Sequence, residues 1–238
     1  MSAGVGGNGR DLPRGFRLRP ATAEDAPLVL ALTLEAYEEY RHTLVPGSGV
    51  FDETVEVVGA QLGGTEGMGV QAGQRGAAVR WAVSDGGHEA SGDERHAARA
   101  GGVIASIDGV PVGCARWSVR GDGDGRSTGP ATGGNRAGSA TGSGGMAPEV
   151  PAAHLHVGRV AVVPAWRGRG VATALMGWFE NLADSRGLSE IRLAVRLTLP
   201  RNEAFYRRLG YRPTGRVETR EGFGPIALWM SKHLPRQG

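Results

Sequence analysis

The chain has 238 residues, 41 of them glycine, with a formal net charge of +3 and one cysteine. Of those glycines, 26 fall in residues 1–9, 59–102 and 121–145, so the remainder has an ordinary composition with three glycine-rich segments added. No Gly-X-Y period appears, which excludes a collagen-like repeat. The single Cys114 excludes an internal disulfide framework and a cysteine-based zinc site. A hydrophobic share of 40% is enough to build a core. Lys232 is the single lysine, and no basic run carries interleaved aromatics, so nucleic-acid binding is not expected. No signal peptide and no apolar run of membrane-spanning length are visible, so the expectation is a cytoplasmic protein, monomer or homodimer, away from membranes.

In chain order, residues 1–15 read as a flexible tail. One domain, 16–238, follows, with loop insertions at about 63–76, 84–101 and 120–153. Phe16–Arg19 reads as a strand. Thr22 and Asp25 have capping-box spacing, and Leu28, Val29, Leu32, Ala36 and Tyr40 recur at helical intervals. Phe51–Leu62 is a weaker helical stretch, and Ala77–Val83 is strand-like. Asp108-Gly109 between Val103–Ile107 and Val112–Val119 predicts a hairpin. His154–Val163 reads as a strand stopped by Pro164. A glycine-bearing turn and a helix with Val171, Leu175, Trp178, Phe179 and Leu182 on one face follow. Ile191–Leu197 is a strand, Arg201–Leu209 a short helix closed by Gly210, and Tyr211–Val217 and Ile226–Lys232 two antiparallel strands. The predicted fold is a mixed α/β sheet.

The turn between the strand and the helix carries the chemistry. Free amides at a helix start suit an anion. Gly168 and Gly170 let the backbone approach a ligand closely, and Arg167 and Arg169 add positive charge. There is no G-x-x-x-x-G-K-[ST] and no G-x-G-x-x-G, which excludes a P-loop and a dinucleotide fold. No His, Cys or carboxylate cluster has metal-ligand spacing, so no metal is expected.

The segment Arg167-Gly168-Arg169-Gly170-Val171-Ala172 resembles the acyl-coenzyme A loop, [QR]-x-x-G-x-[GA], of the GCN5-related N-acetyltransferase (GNAT) family. The resemblance extends to Val162-Val163-Pro164 before the loop. It also takes in Asn202-Glu203-Ala204-Phe205-Tyr206-Arg207-Arg208-Leu209-Gly210-Tyr211 after it. It implies a GNAT-like, mostly antiparallel sheet with a splay between two central strands. It implies acetyl-CoA as cosubstrate and an N-acetyltransferase moving the acetyl group to an amine in a ternary complex. A non-catalytic acyl-CoA sensor and a protein N-terminal or lysine acetyltransferase remain alternatives.

By resemblance, the backbone of residues 167–172 cradles the coenzyme pyrophosphate, with Arg167 and Arg169 as further phosphate contacts. Val160 and Val162 pair with the pantetheine arm, and the Val162 amide faces the thioester carbonyl. Asn202 holds the arm, and Tyr206 is the general acid. The family's usual glutamate before the loop is missing, which leaves His156 or His154 as candidate base. Glu35 and Glu39, on one helix face with Tyr37 and Tyr40 nearby, are candidates for the base and for the wall that receives the amine.

Overall fold

The computed structural model describes residues 12–63, 99–121 and 153–235. Their elements are β1 (Phe16–Ala21), α1 (Ala26–Tyr37), α2 (Val55–Leu62), β2 (Ala100–Ile107) and β3 (Val110–Arg120). There follow β4 (His154–Val162), α3 (Val171–Ser185), β5 (Glu190–Arg196), α4 (Pro200–Arg208), β6 (Arg212–Arg220) and β7 (Gly224–His233). The seven strands form one sheet in the order β1-β2-β3-β4-β5-β7-β6. Every pairing is antiparallel except β4 with β5.

Local chemistry explains the boundaries. The Thr22 amide donates to Asp25 Oδ2 at 2.9 Å, as the capping-box spacing predicts. Arg19 grips the same carboxylate through both Nη groups at 2.7 Å. Those charge-assisted bonds, above all, hold Asp25 well below the usual carboxylate range. The turn they close is a short 3-10 helix, Ala23–Asp25, and α1 begins only at Ala26. The hairpin turn has Asp108 at φ 49° and Gly109 at φ 82°, the paired positive values of a type I′ turn.

The strand β2 starts at Ala100, three residues earlier than the predicted Val103 and inside the expected insertion 84–101. Two glycines make this extension fit. A Cβ on Gly101 would lie 2.9 Å from Trp117 Cζ2, and one on Gly102 would lie 2.5 Å from Leu62 Cδ2. Glycine here marks close packing. In the same way β3 runs to Arg120, into the insertion expected at 120–153. Most of the remaining insertion residues, and the strand expected at Ala77–Val83, lie outside the described residues. The second helical stretch is divided: Gly49–Asp52 is 3-10 and only Val55–Leu62 is α-helical, capped by the Thr54 hydroxyl.

Helices cover both faces of the sheet. Cys114 and Trp117, three residues apart on β3, point to opposite faces. Cys114 Sγ lies 3.4 Å from the Thr33 hydroxyl of α1, while Arg186, capping α3, stacks over the Trp117 ring at 4.4 Å. The core gathers Val29, Leu32 and Ala36 from α1, Leu175, Met176 and Phe179 from α3, and Leu155, Ile191, Leu193 and Met230 from the strands.

Candidate active site

The site forms where β4 leaves its neighbour. Of the nine residues of β4 and seven of β5, only Leu155 with Ile191 and His156 with Arg192 are paired. β5 stays with β7 along its whole length instead. Beyond His156 the two central strands diverge, and the remaining half of β4 has a backbone edge turned to the gap. Gly113 lies opposite Val162 on β3, and the Val163 amide donates to Val112 O at 3.0 Å. Alternation along the strand then turns the Val162 N–H and C=O to the gap side. The Val162 carbonyl accepts from Arg167 Nε at 3.1 Å, as that orientation requires.

One irregularity sets this half of β4 apart. The register with β3 slips by one residue between Cys114–Ala161 and Arg116–Gly158, and Arg159 has φ 54°. This is a β-bulge, which re-aims the strand. Arg159 Nε bonds Glu53 Oε1 at 2.8 Å, and Arg116 Nη2 bonds Glu53 Oε2 at 2.5 Å. Arg116 Nη1 reaches Gln61 Oε1 at 2.7 Å. Glu53, just ahead of α2, thus bridges two strands at the start of the gap. Sequence reading offers no signal for this residue, because its partners lie 63 and 106 positions away.

At the end of β4, Pro164–Trp166 form a 3-10 turn, and Gly168 and Gly170 follow at φ 74° and 85°. Gly170 is the N-cap of the 15-residue α3. A Cβ on Gly168 would meet nothing within 4 Å, so the space over the loop is open. The first amides of α3 lack intrahelical partners, and the helix dipole stands behind them. This cradle fits a diphosphate. Val171 is buried and Ala172 half-buried at the first turn. Arg169 stacks over Trp166 at 4.8 Å.

Arg167 is arranged differently from the sequence expectation of a phosphate contact. Besides Val162 O, its guanidinium bonds Ala36 O at 2.7 Å and forms an ion pair with Glu39. Two residues assigned separately to donor and acceptor therefore touch one another. Tyr40 is raised by burial and by its hydrogen bond to the same Glu39. Glu35 sits exposed on α1.

Asn202 and Tyr206 lie one turn apart on α4, hence on one helix face. Asn202 is exposed, whereas the Tyr206 ring packs edge-on against Phe205 and Tyr211, at 5.0 and 5.8 Å. Burial drives the Tyr206 phenol far above its ordinary value, helped by Tyr37. Tyr37, at the end of α1, is raised by its own burial and stands edge-on to Tyr40 at 6.1 Å. Tyr37 and Tyr206, from helices far apart in sequence, thus come within electrostatic reach of one another.

His156 lies in the paired half of β4, between Ser118 and Arg192, with its ring 5.4 Å from Trp229. It and His154 are buried. Burial, then Arg120, His154 and Arg159, push the His156 imidazole well below its ordinary value, so it is neutral at pH 7. That setting makes it a weak base.

A cavity of about 510 Å³ opens beside the gap, lined by residues 44–49 and by Arg41, Phe51, Asp52, Arg220 and Phe223. Its wall is tied to both diverging strands. Arg196, the last residue of β5, donates to Pro46 O, and a Cβ on Gly49 would come 3.9 Å from Arg159 Nη2 on β4. Phe223 belongs to no periodic or spaced motif and Phe51 only opens the weaker helical stretch, so neither reads as a site residue in the sequence. Among the described residues no group of His, Cys, Asp or Glu is placed to hold a metal, and no helix is long and apolar enough to cross a membrane.

A sheet opened between two central strands, with a glycine turn and a helix N-terminus at the opening, is the arrangement the GNAT resemblance implies. The Acetyltransferase (GNAT) family matches residues 75–211, more than half of the chain, which belongs to that family. Solved structures agree on the fold. A GCN5-related N-acetyltransferase from Rhodopseudomonas palustris is 18% identical, with a TM-score of 0.54 over 95% of this chain and 100% of its own. An acetyltransferase from Thermus thermophilus is 17% identical, with a TM-score of 0.51 over 94% of this chain and 100% of its own. The ribosomal-protein-S18-alanine N-acetyltransferase from Escherichia coli is 12% identical, with a TM-score of 0.50 over 94% and 96%. A comparison with curated proteins finds no match.

Proposed function

We propose that the protein is an acetyl-CoA-dependent N-acetyltransferase that moves the acetyl group directly to an amine in a ternary complex. The observation that carries this is the unpaired half of β4 running into the Gly168–Gly170 turn at the start of α3. A coenzyme arm completes the missing strand pairing through the backbone of Val160 and Val162. The diphosphate sits on the amides of residues 167–172, and Asn202 borders the arm. The amine enters from the cavity beside the gap, past the segment that follows α1.

In the reaction the amine nitrogen attacks the thioester carbonyl carbon, and the C–S bond breaks. The Val162 amide donates to the carbonyl oxygen as its negative charge grows. Tyr206, fully protonated at neutral pH, gives its proton to the departing sulfur. The proton lost by nitrogen passes through water to the neutral His156 imidazole. The test is release of free thiol from acetyl-CoA against a panel of amines, amino acids, aminoglycosides and peptides. Release with at least one class supports the reading. Calorimetric binding of acetyl-CoA with no thiol release across the panel overturns it in favour of a binding module.

A further inference from the structure

Arg167 opens the loop read above as the coenzyme site, yet its side chain makes its bonds elsewhere. Nε holds the last carbonyl of β4, Nη2 holds the Ala36 carbonyl in the last turn of α1, and Nη1 pairs with Glu39 in the 3-10 turn that follows. A planar guanidinium presents fixed, forked donors, so its partners on β4, on α1 and on the turn after α1 set the spacing between the strand and the helix end. Both members of the ion pair are partly exposed, at 37% and 45%. Such a pair contributes little to global stability. Its reach across 128 residues gives it a different kind of leverage, because it ties the donor loop to the helix end that carries Tyr37 and Tyr40.

The contacts continue past Glu39. Tyr40 shares the Glu39 carboxylate and meets Tyr37 edge-on, and Tyr37 in turn influences Tyr206. The donor loop is therefore joined through Glu39 and Tyr40 to Tyr37, which lies within electrostatic reach of the candidate acid.

We infer that Arg167 and Glu39 act together as a strut that fixes the end of α1 over the opened strands. Arg167 is then a positioning residue, not a phosphate ligand, and Glu39 is its anchor, not a contact for the amine. The inference rests on the reading of residues 167–172 as the coenzyme loop. Losing the strut lets the Tyr37–Tyr40 wall drift and weakens capture of the amine, whichever part of the coenzyme the donor carries.

The test compares Arg167→Gln, Glu39→Gln and the double variant with two donors. Acetyl-CoA is one; acetyl-pantetheine, which has the same thioester arm but no diphosphate, is the other. The acceptor is the amine giving the fastest thiol release in the panel. Glu39→Gln is expected to raise the acceptor KM roughly three- to fivefold. Arg167→Gln, losing three contacts, is expected to raise it about tenfold. Both effects are to be equal for the two donors, with the double variant no worse than Arg167→Gln. Hydrogen exchange in the segment 34–44 is to rise in all three. An Arg167→Gln defect confined to acetyl-CoA, with exchange there unchanged and Glu39→Gln silent, makes Arg167 a phosphate ligand and overturns the strut. Should the unaltered chain acetylate no amine, the proposed activity falls, and exchange still decides: faster exchange in both single variants supports the strut, and unchanged exchange refutes it.

Discussion

The two halves of β4 have the same backbone and opposite fates. At Leu155 and His156 the strand is sealed between β3 and β5, the histidines at 154 and 156 are buried, and His156 is held neutral by its surroundings. In residues 158–162 it keeps β3 and loses β5, so its other edge is available for pairing. The bulge at Arg159 lies within the open half, just past the divergence. A sheet can therefore be both scaffold and binding site if one strand changes partners partway along. Residue identity matters less in the open half, where the backbone does the binding, than in the sealed half, where side chains must pack.

The largest effect should come from closing the open half at its far end. Gly170→Glu forces a side chain into φ 85° and puts a carboxylate where a diphosphate would lie. Strain of about 1–2 kcal/mol plus charge repulsion should lower acetyl-CoA affinity at least about a hundredfold, as calorimetry will read. Unchanged affinity would place the coenzyme elsewhere. Next, Tyr206→Phe removes the proton donor and keeps the packing against Phe205 and Tyr211. The turnover number should fall by about 10², with acetyl-CoA affinity preserved; an equal rate with the best amine removes Tyr206 from the chemistry.

At the boundary, Glu53→Ala leaves Arg116, only 5% exposed, facing Arg159 without their shared carboxylate. Removing one partner of a buried pair costs about 3–5 kcal/mol. A urea midpoint little changed from the parent would mean that the bulge holds without its bridge. The smallest effect belongs to the sealed half. His156→Gln should cost roughly tenfold or less in kcat/KM, because a weak base contributes little to proton transfer. The stability signature is of definite sign. The folded state resists a proton that the unfolded chain accepts near its ordinary value of about 6.5. Stability should thus fall as pH drops below about 6.5, and fall less in His156→Gln. A parent midpoint that does not fall toward pH 5 would contradict the neutral, buried ring.

How far the sequence could be read differs across the same boundary. The loop at 167–172, α3, α4 and the Asp-Gly turn of the hairpin are local patterns, and each appears within two residues of its expected place. The opening of the sheet followed from resemblance, since a missing strand partner leaves no trace in the strand's own residues. The β2 extension through Gly101 and Gly102 was hidden because glycine usually signals a loop, while here it makes room for Trp117 and Leu62. Glu53 and the Arg167–Glu39 pair join residues far apart in sequence, so only the folded chain brings them into view. The cavity wall, with Phe51 and Phe223, was illegible for the same reason.

Cys114 has a practical consequence. It is the chain's only thiol, wholly buried beneath α1, within hydrogen-bond distance of the Thr33 hydroxyl, and pushed up to about 11 by burial. A disulfide reagent that reports coenzyme A by colour needs an exposed thiolate. The native protein will therefore be silent toward it, so the chain's own thiol adds no colour to the thiol-release test. A thiol signal that grows without acceptor, up to one equivalent per chain, becomes in turn a direct readout of unfolding around β3.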